Sequence, residues 1–426
     1  MNHDENSSKL PRPLKVLHAT HQMNPKAGGV SQAIVNIIEG LSELGVENEV
    51  ISLDAASEIP HGIMVHALGP GSGPWSYSKK LKPWLTEHLS SFDIIIIHGL
   101  WLYHGYAVSK MIRHFKKNKI TSEPSGKNNQ RLFTMPHGML DPYFQKTHGR
   151  KLKALRNIVY WKFIEQYIVN GSDGILFTCQ EESILARETF KPYRPKRELI
   201  VGLGVKKPPC FSDIMQTEFL KKCPQLTDQT PYILFLSRIH PKKGVDILIQ
   251  AYENLFRKLS DMTLLPKLVI AGPGINTSYG QVILKKVSES QRIKNSVYFP
   301  GMLEGTAKWG AFYNAVFFIL PSHQENFGIA VVEAMACGKP TAITNQVNIW
   351  REIEEGGGGF VSEDTLSGIE GILEKCISLK DDEIKILGLR AKTLFQNEFS
   401  IIPAAKRLLT EITAVISSST PATRPQ

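Results

Sequence analysis

The sequence predicts an α/β protein of two doubly wound domains facing each other across a cleft. Three observations lead there. Short, almost purely apolar runs recur along the chain, among them DIIIIHG (93–99), YILFLSR (232–238) and FFILPS (317–322). Most are followed by a longer stretch of helical periodicity, such as VSQAIVNIIEGLSEL (30–44) and VDILIQAYENLF (245–256). The two halves repeat this alternation on either side of VGLGVKKPPC (201–210), a Gly- and Pro-rich hinge. Apolar strands separated by helices belong to parallel sheets covered on both faces. A chain of 426 residues is long enough for two such domains.

In the first half the strands fall at LKVLHAT (14–20), NEVISLD (48–54), DIIIIHG, RLFTMPHG (131–138) and DGILFTC (173–179). In the second half they fall at YILFLSR, KLVIAGPG (267–274), SVYFPGM (296–302), FFILPS and PTAIT (340–344). Low-complexity sequence is confined to the ends, as in SSSTPATRPQ (417–426). The hydrophobic fraction of 42% and charged fraction of 21% exclude a disordered or fibrous chain. Apolar runs such as Ile94–Ile97 are too short to cross a bilayer. The polar start MNHDENSSKLPRP lacks the apolar core of a signal peptide. Five cysteines without a CxxC pair argue against a disulfide framework or a zinc site, which places the chain in a reducing, cytoplasmic setting.

The net charge of +10 is uneven. Between Lys79 and Lys162 stand 16 Lys/Arg against 4 Asp/Glu, clustered at Lys79–Lys82, RHFKKNK (113–119) and GRKLKALR (149–156). A solvated basic face accounts for this, and so does attraction to a polyanion. No nucleic-acid motif is present, so an anionic lipid surface is the better polyanion.

Ligands of doubly wound sheets sit beyond the C-terminal strand ends, which directs attention to three junctions. At the first, Gly28 and Gly29 precede a long helix, where bare backbone admits a ligand and helix N–H groups favour an anion. A tight turn would use the same residues. At the second, Arg238 closes a strand and Lys243 follows in PKKG (241–244). A bidentate guanidinium and a compact ammonium together suit a diphosphate. At the third, SHQENFGIAVVEAMACG (322–338) carries Glu325 and Glu333 eight residues apart, with helix beginning near Asn326–Gly328. Spacing alone means nothing, because Glu39/Glu47 and Glu355/Glu363 share it. Two carboxylates about 12 Å apart along a helix do not chelate one ion, but they reach both ends of an extended ligand. With a helix N-terminus between them, the middle of that ligand is a phosphate, and the whole is a nucleotide diphosphate sugar.

SRIHPKKGVDILIQAY, LVIAGPG, VYFPG and LPSHQENFGIAVVEAMACGKP, in this order, resemble the donor domain of family 4 retaining glycosyltransferases across residues 230–362. AGGV, the strand ending HGL, and MPHGML carry a looser likeness in the first half. The resemblance implies a GT-B fold of two Rossmann-like domains, with an acceptor-binding domain at 1–205 and a donor-binding domain at 206–395. A helix in 396–426 would pack back on the first domain, ahead of a disordered tail.

The resemblance also assigns roles. Glu325 contacts hydroxyls of the donor sugar and Glu333 the ribose hydroxyls. Arg238 and Lys243 grip the diphosphate, with the backbone amides of Phe327, Gly328 and Ile329 adding to them. His137 lies close to the donor sugar and reaction centre, unless it merely caps a buried strand. Gly28 and Gly29 approach the diphosphate and acceptor, and Gly301, Met302 and Leu303 lie where the base is held. The chain departs from the family pattern in Asn326, in NQVNIWREIEE (345–355) and in its hinge.

The reaction expected is retaining transfer of a sugar from the nucleotide diphosphate to a hydroxyl of a carbohydrate or lipid-linked acceptor, in polysaccharide or glycolipid biosynthesis. No DxD triplet occurs, and leaving-group stabilisation by Arg238, Lys243 and helix N–H groups predicts no metal and no cofactor beyond the co-substrate. Closure at the hinge would exclude water. The basic stretch suits peripheral contact with an anionic membrane, at its inner face, and no nucleic acid is expected. An epimerase of the same fold would act on the donor alone. A basic nucleic-acid binding module explains the charge but not the glutamate pair.

Overall fold

The computed structural model describes residues 12–24, 28–56, 62–118, 130–146, 151–258 and 265–418. Most of the polar N-terminus, Ala27, Lys119, Gly149, Arg150 and the tail beyond Ser418 lie outside the described residues. The chain forms two compact units. One holds the chain up to Phe177, Ala186–Val201 and the segment from Ala405; the other holds Thr178–Leu185 and Gly202–Ala404.

The first unit is built on a seven-stranded sheet of β1 (Lys15–Ala19), β2 (Glu47–Ser52), β3 (Val65–Ala67), β4 (Ile94–His98), β5 (Arg131–Met135), β6 (Gly174–Phe177) and β7 (Glu198–Ile200). Its order is β3-β2-β1-β4-β5-β6-β7 and all its pairings are parallel. β4 is buried along its whole length, as its four isoleucines demand. Around it Leu17, Ile51, Ile95, Ile97, Val108 and Ile112 belong to one hydrophobic core cluster of this unit.

The second unit holds a six-stranded parallel sheet of β8 (Tyr232–Leu236), β9 (Lys267–Ala271), β10 (Val297–Gly301), β11 (Phe317–Leu320), β12 (Thr341–Thr344) and β13 (Gly359–Ser362). The order is β10-β9-β8-β11-β12-β13. Strand order reverses between β1 and β4 in one sheet and between β8 and β11 in the other. The loops leaving these strands at their C-terminal ends therefore diverge, and that opens a crevice.

Every strand read from the sequence is present, most of them ending earlier than read, while β2 begins one residue sooner, at Glu47. Three strands were not anticipated: β3, β7 and β13. All three are sheet edges, and all are short and largely half-buried. An edge strand has one neighbour and one solvated side, so it needs no unbroken apolar run. The helix of the third junction spans Ile329–Ala336 and starts just after the expected Asn326–Gly328. Glu325 thus lies in a loop and only Glu333 is helical.

Candidate functional site

In the second unit, the loops leaving β8 and β11 are held together through their backbones. Pro241–Lys243 form one turn of tight helix, closed by Gly244 at φ 66°. A Cβ on Gly244 would stand 2.0 Å from the Pro321 carbonyl oxygen, so both the left-handed backbone and the close approach require glycine here. The His323 N–H donates to the Lys242 carbonyl (2.9 Å), and the Ser322 hydroxyl donates to the same oxygen (3.1 Å). These contacts bring the Lys243 ammonium onto the Glu325 carboxylate. The lysine side chain is only 6% exposed, so an unpartnered ammonium there would be costly, and Glu325 satisfies it. Arg238, just beyond β8, is exposed and forms no ion pair among the described residues.

Glu325 is also fixed from behind by residues 345–350, the segment that departs from the family pattern. The Glu325 N–H donates to the Gln346 carbonyl and the Asn348 N–H donates to the Glu325 carbonyl, each at 2.9 Å. Asn326 joins this support: its Nδ2 donates to Thr178 Oγ1, and Asn348 Nδ2 donates to Asn326 Oδ1, both at 3.3 Å. The variant sequence therefore braces the Glu325 loop.

Phe327 is buried, with its ring edge-on to Phe399 at 5.8 Å, so only its backbone faces a ligand. Gly328 precedes helix Ile329–Ala336, and no side chain caps that end. The first N–H groups of such a helix have no partners within it. One turn into the helix, Glu333 pairs with Lys308 at 2.7 Å, and Lys308 lies over the Trp309 ring at 4.2 Å. Sequence reasoning missed Lys308, because no local spacing links positions 25 residues apart. Gly301–Leu303 lie at the end of edge strand β10, where the Gly301 carbonyl accepts from Gly272 N–H at 2.8 Å. Met302 is exposed, whereas the Leu303 side chain is buried and leaves only backbone for a ligand.

In the first unit, Gly28 has φ 109°, ψ −156°, a backbone open to glycine alone, and it caps helix Gly29–Glu43 without a side-chain bond. A Cβ on Gly28 or Gly29 would meet no atom within 4 Å, so packing does not demand these glycines and the space over them is open. Nearby, at the exits of β1 and β4, a small cavity of about 60 Å³ is lined by Thr20, His21, Val30, Ser31, His98 and His104 among others.

His137 sits two residues past β5 at φ 52°, a conformation sparsely used outside glycine and one that clusters at functional positions. It ends a chain of imidazoles. Its Nε2 lies 3.0 Å from His98 Nδ1, and His98 Nε2 lies 2.9 Å from His18 Nδ1. His18 Nε2 lies 3.2 Å from Asn48 Oδ1. The proton positions follow from the far end. Asn48 Nδ2 donates to the Val46 carbonyl (2.9 Å), which can only accept, so Oδ1 must face His18. His18 then carries its proton on Nε2, and in neutral rings the same holds for His98 and His137. The bare nitrogen at the open end is His137 Nδ1.

Burial keeps these rings neutral. It lowers His18 to about 4 and His98 well below its usual value, where neighbouring imidazoles add to the effect. His104, which donates to the His98 carbonyl at 3.0 Å, is also lowered to about 4. His137 is lowered by burial too, although part of its surface stays open. Sequence reasoning found His137 and missed its partners. The signal existed: LHAT, IIIIHG and MPHG each carry a histidine near the end of a strand, and β1, β4 and β5 are neighbours in the sheet.

Residues 216–393 match the family described as Glycosyl transferases group 1, and residues 27–200 match Glycosyltransferase Family 4. The chain belongs to these glycosyltransferases and has their GT-B fold. Among relatives, it is 23% identical over 362 residues to a GDP-mannose:cellobiosyl-diphosphopolyprenol alpha-mannosyltransferase of Komagataeibacter xylinus, covering 83% of this chain and 81% of that protein. Among solved structures, a glycosyltransferase of Rickettsia africae superposes with a TM-score of 0.69 at 16% identity, over 96% of this chain and all of that one. The HepE protein of Anabaena, in complex with UDP and glucose, superposes with a TM-score of 0.65 at 15% identity, over 94% of this chain and all of that one.

Proposed function

We propose that this glycosyltransferase moves a sugar from a nucleotide diphosphate donor to a hydroxyl of a carbohydrate or lipid-linked acceptor, with retention at the anomeric carbon. The observation that carries the reading is the pairing of the buried Lys243 ammonium with the partly exposed Glu325 carboxylate beside the uncapped helix start at Ile329, with Arg238 close by in sequence and in no ion pair among the described residues. Each half of the pair would exchange its partner for donor. The Lys243 ammonium takes diphosphate oxygens together with Arg238 and the N–H groups of Phe327, Gly328 and Ile329. The Glu325 carboxylate takes sugar hydroxyls, while Glu333 takes those of the ribose. The bond from the anomeric carbon to the phosphate oxygen breaks, and the charge gathered on that oxygen is held by groups already in place. The acceptor oxygen bonds to the anomeric carbon on the same face and passes its proton to the departing phosphate. His137 accepts a hydrogen bond from a donor-sugar hydroxyl through Nδ1. These groups supply the charge stabilisation that a metal would otherwise give, so the reading requires none.

The relative that uses GDP-mannose and a diphosphopolyprenol acceptor supports a nucleotide-sugar donor and a lipid-linked acceptor. The HepE complex with UDP and glucose supports the same donor class with another base. Work on a polysaccharide or glycolipid at the inner face of a membrane fits that acceptor class. A thermal-shift screen of UDP-, GDP- and ADP-sugars tests the reading, since a ligand bound only by the native state raises its stability by about 2.7 kcal/mol at a hundredfold excess over Kd. One donor series should stabilise the protein. Lys243→Ala or Arg238→Ala should abolish most of that shift and lower turnover by about 100-fold or more. Turnover near wild type in either variant overturns the diphosphate assignment. Conversion of the donor without acceptor would mark an epimerase instead.

A further inference from the structure

We propose that residues 152–167 of the first unit form an interfacial helix face that docks on an anionic lipid bilayer. The segment runs through helix Lys151–Tyr160, a wider helical turn at Trp161–Glu165 and helix Gln166–Val169. Its inner face is already satisfied. Trp161 is buried and stacks on Phe190 at 4.9 Å, and Ile168 and Val169 are fully buried. Tyr160 accepts a hydrogen bond from Trp75 Nε1, and Trp75 packs on Tyr103 and Tyr106.

The outer face is apolar as well. Leu152 is 86% exposed, Leu155 60% and Phe163 67%, with Ile158, Val159 and Tyr167 at least half exposed beside them. Single exposed apolar residues are ordinary, but six large ones on one helical segment are not. A helix apolar on both faces is made to have both covered.

Charge identifies what covers the second face. Lys153, Arg156 and Lys162 are exposed among the apolar residues, and none is in an ion pair among the described residues. The sole carboxylate from Leu152 to Tyr167 is Glu165, which is buried. A second copy of this chain set against the same face would bring these cations onto one another with no acid to meet them. A leaflet of acidic phospholipid offers hydrocarbon to the leucines and phenylalanine and phosphates to the cations. The segment is too charged to span a bilayer, and no helix among the described residues is long and apolar enough to cross one. It would lie in the plane of the headgroups.

The inference stands on this surface alone and is read without donor or acceptor, so its failure leaves the transfer reading intact. The test is co-sedimentation of the full chain with phosphatidylcholine vesicles, with and without phosphatidylglycerol, together with the mass of the protein in solution. The wild type should pellet with the phosphatidylglycerol vesicles and release as salt is raised. Leu155→Ser with Phe163→Ser should lower the partition constant about tenfold or more. Lys153→Glu with Arg156→Glu should do the same on the anionic vesicles. All four side chains are exposed, so melting temperatures should stay near wild type and a loss of binding is not a loss of fold. The proposal is overturned if the wild type stays in the supernatant at low salt, or if both double variants bind as it does. A dimer that Phe163→Ser dissociates would overturn it too, by giving the face to a second copy.

Discussion

His98 is buried between His18 and His137, and it determines what His137 can do. By accepting the Nε2 proton of His137 it leaves Nδ1 bare, and it can accept only because Asn48 has oriented His18. His98 is a positioning residue. His98→Ala should remove one hydrogen bond from His137, about 1 kcal/mol, and lower kcat about fivefold with little change in KM for the donor. The discriminating readout is the pH profile. A neutral His137 is lost as pH falls through its pKa, which burial holds low. Removing His98 lets water toward the ring, so the acid limb should move up toward the usual imidazole value. Loss of folded protein alone would scale the profile without moving it. Glu325 and Lys243 teach a related point. Their types are readable in the sequence, but their pairing is not, since 82 positions separate them.

At the scale of elements, the site depends on turns more than on the strands that carry them. The turn Pro241–Lys243 is pressed against the loop after β11, and Gly244 permits that contact. Gly244→Ala would force a left-handed backbone on an L residue and drive a methyl group into the Pro321 carbonyl. A loss of about 2–4 kcal/mol is expected, measurable as a lowered midpoint in urea unfolding. Donor binding should weaken further than the stability loss explains, because Lys243 is the neighbouring residue. An unchanged midpoint would show that the two loops are not held together in this way. The strands themselves were legible where both faces are buried, as in IIIIH of β4 and FFIL of β11. They were illegible at three edges, where one solvated side removes the constraint on composition.

At the scale of the whole molecule, buried titratable groups of opposite sense set the pH range. His18 and His104, lowered to about 4, are neutral in the folded chain while the unfolded chain takes up protons below about 6.5. Their contribution is therefore present above pH 6.5 and is lost as pH falls toward 4, each by up to about 3 kcal/mol. Glu165 runs the other way. Burial raises its carboxyl to about 8, so it is folded in its protonated form and its contribution is lost as pH rises from about 4.5 through 8. The melting temperature should fall steeply below pH 6.5 and more gently between 7 and 8, and Glu165→Gln should flatten the upper slope. A wild-type curve level from pH 7 to 8 would count against a protonated Glu165.

By itself the sequence determined the two-sheet architecture, the crevice-forming junctions, the family and the candidate residues at strand ends. These follow from local information: apolar runs long enough to be buried, glycines at turns, and motifs contiguous in the chain. The tertiary structure alone decided which charges meet, which histidine nitrogen is bare, that residues 345–350 brace Glu325, and that one basic helix keeps an apolar face in the open. Each of these is a contact, or the lack of one, between residues far apart in sequence, and no periodicity records it. The order of strands in a parallel sheet brings His18, His98 and His137 side by side across more than a hundred residues, and only the folded chain shows it.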